Sequence, residues 1–239
     1  DDAATQHSVI KVFHLGLCDV GLTPSSLDLL TELLSSQDKN AVLGGLHSLS
    51  LMGFDEATMV RLAQAASHSL KTLELCSSES DFHRFGMASA RVLDASLECL
   101  QHVEITFFPI FYSEASVVVM MDDCLELGQA LARIPLLKSL KVISFRGVDD
   151  ERLDALLRGF VGQNLDGTIH VPQQTAQQSL VLERSCSLQY LIISHSHGLI
   201  SKSLPIITRM IEKAPKLKYL QIREANLNFH WTRTEHTSR

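Results

Sequence analysis

The sequence predicts an α/β fold built by repetition: a right-handed solenoid with one parallel sheet on its concave face and helices over most of its convex face. Three observations carry this expectation. A short phrase with apolar residues at its first, fourth and sixth positions occurs seven times. It reads Val12-Leu15-Leu17, Leu46-Leu49-Leu51, Leu70-Leu73-Leu75, Leu100-Val103-Ile105, Leu140-Ile143-Phe145, Leu188-Leu191-Ile193 and Leu217-Leu220-Ile222. Every one of these positions is aliphatic or Phe in a chain that is only 45% apolar, so an arbitrary frame would miss about half of them. The last two positions of each phrase alternate, as in a strand with one buried face. Between phrases the apolar period lengthens to about 3.6, as in helices lying against that face.

The elements follow in order. After the first phrase, Thr23-Pro24 reads as a helix start, a hydroxyl cap followed by Pro at the first helical position. Leu27, Leu30, Leu33 and Leu34 then form one apolar face. After the second phrase Asp55 caps a helix presenting Met59, Leu62 and Ala66, and a third helix is expected over residues 83–96. The fourth unit is long, and its excess begins Thr106-Phe107-Phe108-Pro109-Ile110-Phe111-Tyr112. Four aromatics in six residues either pack under their own loop or protrude as an apolar hook for a partner. A helix is expected over residues 115–133, ending at Arg133-Ile134-Pro135, with Asp122 and Asp123 on its solvated side. A further helix starts at Asp149 or Asp150 and presents Leu153, Leu156 and Leu157, and the last, over residues 201–213, ends at Lys213-Ala214-Pro215. A cation and then Pro is a favourable helix end.

Two details decide which residues face outward. The fifth phrase is read as Leu140-Ile143-Phe145, because this keeps the strand-to-helix distance seen after Leu46; alignment on Pro215 would give Leu137-Leu140-Val142 instead. The gap of 48 residues before the sixth phrase is twice 24, which suggests a hidden strand at Thr168-Ile169-His170-Val171. Eight units then share the chain at roughly 28 residues each. The solenoid takes residues 1–228 and leaves 229–239 as a polar C-terminal tail.

Composition narrows the function. Residues 1–120 carry 6 Lys/Arg against 15 Asp/Glu and residues 121–239 carry 15 against 12, so the array runs from acidic to mildly basic. No basic stripe marks a nucleic-acid partner. The apolar run from Ala115 to Met121 is too short to span a membrane. Five cysteines with no CxxC pair, and no Asn-x-Ser/Thr acceptor, point to free thiols and a reducing, cytoplasmic setting. A chain opening on Asp1-Asp2 reads as a fragment or processed product.

Strand, turn and helix in units of this length resemble the leucine-rich repeat superfamily, specifically its intracellular ribonuclease-inhibitor-like branch, over about residues 9–228. The resemblance implies a module that grips a protein on the concave sheet or on the loops beside it. Regular members carry Asn or Cys three residues after the last phrase position. Here that slot holds Val20, Phe54, Ser78, Phe108, Val148, Ser196 and Ala225. Such irregular units look closer to the arrays of F-box ubiquitin-ligase receptors or of immune receptors.

The sequence holds no phosphate-binding GxxxxGK[ST], no GxGxxG, no GxSxG and no HExxH. His195-Ser196-His197 lacks the further ligands a zinc site needs. Only Cys186, near Arg184, has a basic neighbour that could activate a thiol. The expectation is therefore a non-catalytic recognition module of a larger receptor or adaptor, without cofactor or metal. The alternatives are the substrate arm of a ubiquitin ligase, a structural subunit of a large assembly, or a GTPase regulator. A flanking domain or subunit is expected to cover one end. The concave columns place Glu74, Glu104 and His102 in an acidic centre, and Tyr190, Ile192 and Tyr219 in an aromatic shelf beside Arg146 and Arg223. The shelf is the first choice of contact site, since Tyr and Arg dominate binding hot spots. The insertion, with Phe107, Phe108 and Phe111, is the second.

Overall fold

Each phrase has one apolar face to turn inward, and in the computed structural model of the protein six of the seven phrases do so as read, while the fifth is shifted in frame. The structure describes residues 12–18, 21–38, 41–76, 85–96, 98–107, 121–144, 150–162, 187–194, 200–223 and 228–233. Eight strands form one open sheet in chain order. They are β1 (His14–Cys18), β2 (Ser48–Met52), β3 (Thr72–Cys76), β4 (His102–Phe107), β5 (Ser139–Ser144), β6 (Tyr190–Ser194), β7 (Tyr219–Arg223) and β8 (Asn228–Thr232). The first seven are parallel, and β8 runs antiparallel to β7. Among the described residues one helix falls between each parallel pair: α1 (Pro24–Ser35), α2 (Glu56–Ala66), α3 (Phe85–Ala95), α4 (Met121–Arg133), α5 (Asp150–Phe160) and α6 (Ile200–Lys213).

The register explains the repeat. Leu15, Leu49, Leu73, Val103, Leu140, Leu191 and Leu220 lie in one row across the sheet, and Leu17, Leu51, Leu75, Ile105, Val142, Ile193 and Ile222 in the next but one. These rows pack with helical residues such as Leu34, Leu62, Leu93, Leu131 and Leu156 in a single core. Just before the strands, the carbonyls of Phe13, His47, Lys71, Gln101, Lys138 and Gln189 each accept the N–H of the equivalent residue in the next unit, at 2.7–3.0 Å.

That rung corrects the fifth unit. Lys138 bonds Gln101, so the anchor before it is Leu137 (3% exposed) and the inward pair is Leu140 and Val142. The expected frame, with Ile143 and Phe145 inward, is displaced by three residues. The reason is the turn at Pro135, which hands the chain to Leu137 as Pro215 hands it to Leu217. The extra residues fall between strand and helix, since α5 still begins at Asp150. The expected hidden strand is also displaced: β5 pairs directly with β6, Leu140 against Leu191, so no strand separates them. Thr168, Ile169, His170 and Val171 lie outside the described residues. The eighth strand comes instead from the segment read as a polar tail.

Local signals set the helix starts. Thr23 caps α1 through the Ser26 N–H at 3.2 Å with Pro24 following, and Asp55 caps α2 through the Thr58 N–H at 2.9 Å. Before Asp55, Gly53 takes a φ of 79°, which glycine adopts without steric cost. In α1, Leu34 is buried and Leu27 and Leu30 are half-buried, but Leu33 is 40% exposed and so lies off the expected face. Along the outer side, arginines reach back one helix at a time, Arg61 to Asp28 at 2.5 Å, Arg91 to Glu56, and Arg133 to Asp94 at 2.7 Å. In α4, Asp122 is exposed, but Asp123 is buried against Gly86 of α3 rather than solvated. No described helix is long and apolar enough to cross a membrane.

Candidate functional site

Residues that alternate with the two buried rows form the open face of the sheet. The corrected register gives its outer row as His14, Ser48, Thr72, His102, Ser139, Tyr190 and Tyr219. Its middle row is Gly16, Ser50, Glu74, Glu104, Lys141, Ile192 and Gln221, and its third is Cys18, Met52, Cys76, Thr106, Ile143, Ser194 and Arg223. β8 adds Thr232, His230 and Asn228 to the ends of these rows.

The acidic centre is weaker than the residue types suggest. Lys141, which the shifted register brings to the middle row, donates to Glu104 at 2.8 Å. Burial, and then the charge of Lys138, hold the His102 imidazole below its ordinary value. Cys76 is pushed up to about 11, by burial first and the Glu74 charge second, so it stands as a thiol rather than a nucleophilic thiolate. The four described cysteines are free thiols. Cys186 lies outside the described residues, as do His195 and His197.

The residues expected to form the aromatic shelf on β6 and β7 fall on adjacent strands. Tyr190 pairs with Tyr219, Ile192 with Gln221 and Ser194 with Arg223, so the four candidate residues of β6 and β7 share one face. Tyr190 is 45% exposed and Arg223 is exposed, whereas Tyr219 and Ile192 are half-buried. Arg146 lies outside the described residues. The place in the third row that the expected frame gave it belongs to Ile143, opposite Ser194.

The second-choice site loses its first member. Phe107 closes β4 and is 1% exposed, its ring edge-on to Phe85 at 5.3 Å, so it is a core residue without surface for a partner. Phe108 and Phe111 lie outside the described residues.

Two residues that sequence reasoning missed complete the shelf. Gln221 is buried, and one end of its carboxamide lies 3.1 Å from the Tyr219 hydroxyl. The other end lies 3.4 Å from His230 Nε2, and it also stands 2.6 Å from Arg223 Nε and 3.1 Å from Nη2. A guanidinium only donates, so this end is the carbonyl oxygen and the NH2 donates to Tyr219. His230 closes the ring, its Nδ1 3.2 Å from the Tyr219 hydroxyl. No sequence motif announces His230; only the return of the chain as β8 puts it there.

Elsewhere, a cavity of about 490 Å³ near the start of the sheet is lined by Phe13, Gln37, His47 and His68, away from the shelf. Among the described residues no three His, Cys, Asp or Glu side chains are placed to hold a metal ion. No protein-family model matches the chain, and no curated protein is similar to it.

Proposed function

We propose that the chain is a right-handed, leucine-rich-repeat-like solenoid that works as a non-catalytic protein-recognition module, and that it grips an extended acidic segment on the open, concave face of β6 to β8. The observation that carries this reading is the pairing of Tyr190 with Tyr219 on adjacent strands, beside Ile192 and the exposed Arg223. Lys138 and Lys218, both exposed, precede β5 and β7 at the same end of the sheet. Large rings offer contact area with little rotamer entropy to lose, and a guanidinium fixes a carboxylate by paired donors. Parallel strands joined through helices on one face favour right-handed crossovers.

A displayed library of random extended peptides, panned on the wild-type protein, tests it. The selected peptides are expected to be rich in Asp and Glu with an apolar residue beside them. Tyr190→Ala, which removes an exposed ring, should weaken the best of them by about 1–2 kcal/mol with little change in Tm. Selected peptides without acidic enrichment, or indifferent to Tyr190, would overturn the reading.

A further inference from the structure

The ring of hydrogen bonds at the end of the sheet has one member, His230, whose side chain can carry either one ring proton or two. We infer that His230 makes this site pH-sensitive: its protonation turns the Tyr219 hydroxyl outward as a donor and strengthens the capture of a carboxylate beside Arg223. The inference rests on the recognition reading above and specifies how that site is regulated.

Hydrogen counting fixes the two states. Arg223 donates to the Gln221 oxygen at 2.6 and 3.1 Å, so the Gln221 NH2 donates to the Tyr219 oxygen at 3.1 Å. His230 Nε2, 3.4 Å from the Gln221 oxygen, is then the protonated nitrogen of the neutral ring. Its Nδ1 keeps a lone pair, and the Tyr219 O–H points at it across 3.2 Å. The Tyr219 proton is thereby spent inside the ring of bonds.

When His230 takes a second proton, both ring nitrogens donate. Nδ1–H now needs an acceptor, and the atom facing it is the Tyr219 oxygen. That oxygen can accept from both His230 and Gln221, but its own hydrogen must leave the Nδ1 direction and turn to the open face. The site thus gains an outward O–H and a positive charge next to a guanidinium, both of which favour a carboxylate. The groups facing His230 are the Tyr219 phenol and, across the Gln221 amide, the Arg223 guanidinium, both on β7. Just past the end of its own strand, Arg233 is directed to the carbonyls of Ile211 in α6 and of Pro215 in the turn after it. Imidazole changes charge between about pH 5 and 8, where Asp side chains of a ligand stay ionised.

Fluorescence anisotropy with a labelled, C-terminally amidated Asp-Leu-Asp-Leu-Asp-Leu peptide tests this at two pH values. Wild-type protein is expected to bind about tenfold more tightly at pH 5.5 than at pH 8, the scale of one charge-assisted hydrogen bond. In His230→Asn and in Tyr219→Phe the ratio should shrink to about twofold or less, while Tyr190→Ala weakens binding alike at both values. In the free protein, the Tyr219 ring-carbon NMR shift should follow the His230 titration and lose that dependence in His230→Asn. Tyr190-dependent binding with equal affinity at both pH values overturns the switch and leaves the recognition site standing. An absence of Tyr190-dependent binding at either pH overturns both.

Discussion

Asp55 shows how much a single side chain decides. Its carboxylate accepts the Thr58 N–H at 2.9 Å and thereby starts α2 four residues after β2 ends. That backbone hydrogen bond holds the carboxyl below its ordinary value of 3.8. The unfolded chain binds the proton more tightly than the folded one. The stabilisation is therefore complete above the unfolded value and is lost as pH falls through the folded one. Asp55→Ala should lower stability in urea at pH 7 by about 0.5–2 kcal/mol, and the gap between wild type and variant should narrow as pH falls below the ordinary carboxyl value of 3.8. A gap that persists in acid would show that the loss came from something other than the cap. Three positions past the inward pair of β2, Phe54 is 8% exposed, filling with a ring the slot where a regular repeat places a polar residue.

Among the described helix pairs, α4 and α5 pack most closely, and two glycines allow it. A Cβ on Gly128 would overlap the Leu156 carbonyl oxygen and stand 2.8 Å from the Phe160 nitrogen. A Cβ on Gly159 would overlap the Leu125 carbonyl oxygen in return. Both obstacles are backbone, so neither can swing aside. Gly128→Ala should cost about 1–3 kcal/mol through forced separation of the two helices, despite the better helix propensity of Ala. Gly21→Ala, with nothing within 4 Å of the added carbon, is the matched control. Equal urea midpoints for the two variants would contradict the close packing.

Over the whole molecule the two ends of the sheet are finished differently. At the C-terminal end β8 turns back along β7, with Trp231 opposite Leu220 and Phe229 opposite Ile222. Arg233 lies over the Trp231 ring at 5.4 Å and donates to the carbonyls of Ile211 in α6 and of Pro215 in the turn after it, tying the final strand to the final helix. At the other end β1 is the edge strand among the described residues, and Phe13, Leu29, Leu33 and Val42 are all at least 40% exposed nearby. If one end takes a cover, this end has the apolar surface for it. Trp231 is the sole tryptophan, so its fluorescence reports whether the C-terminal strand is docked. Arg233→Ala should shift the fluorescence transition in urea to lower concentration than the far-UV circular dichroism transition, because the last unit has a neighbour on one side only. Coincident transitions in the variant would mean that Arg233 does not secure the strand.

The sequence by itself determined the parallel sheet, the helix between strands and most of the core, because a strand with one buried face and a helix with one buried stripe each leave a period that needs no partner to be read. It also placed Tyr190, Ile192, Tyr219 and Arg223 on one face, since the phrases around them are regular. The tertiary structure alone decided the frame of the fifth strand. Leu140 fits either of two frames locally, and only the hydrogen bond from Lys138 to Gln101 selects the one that sends Lys141, not Ser144, to the middle row. It alone buried Phe107 against Phe85, a ring contact between the start of α3 and the end of β4 that no local periodicity encodes. And it alone made a strand of residues 228–232, whose polar–apolar alternation rests on two rings, Phe229 and Trp231, and lacks the repeated phrase that marks the other strands. Pairing with β7 supplies the missing backbone partners, and with them the histidine that completes the site.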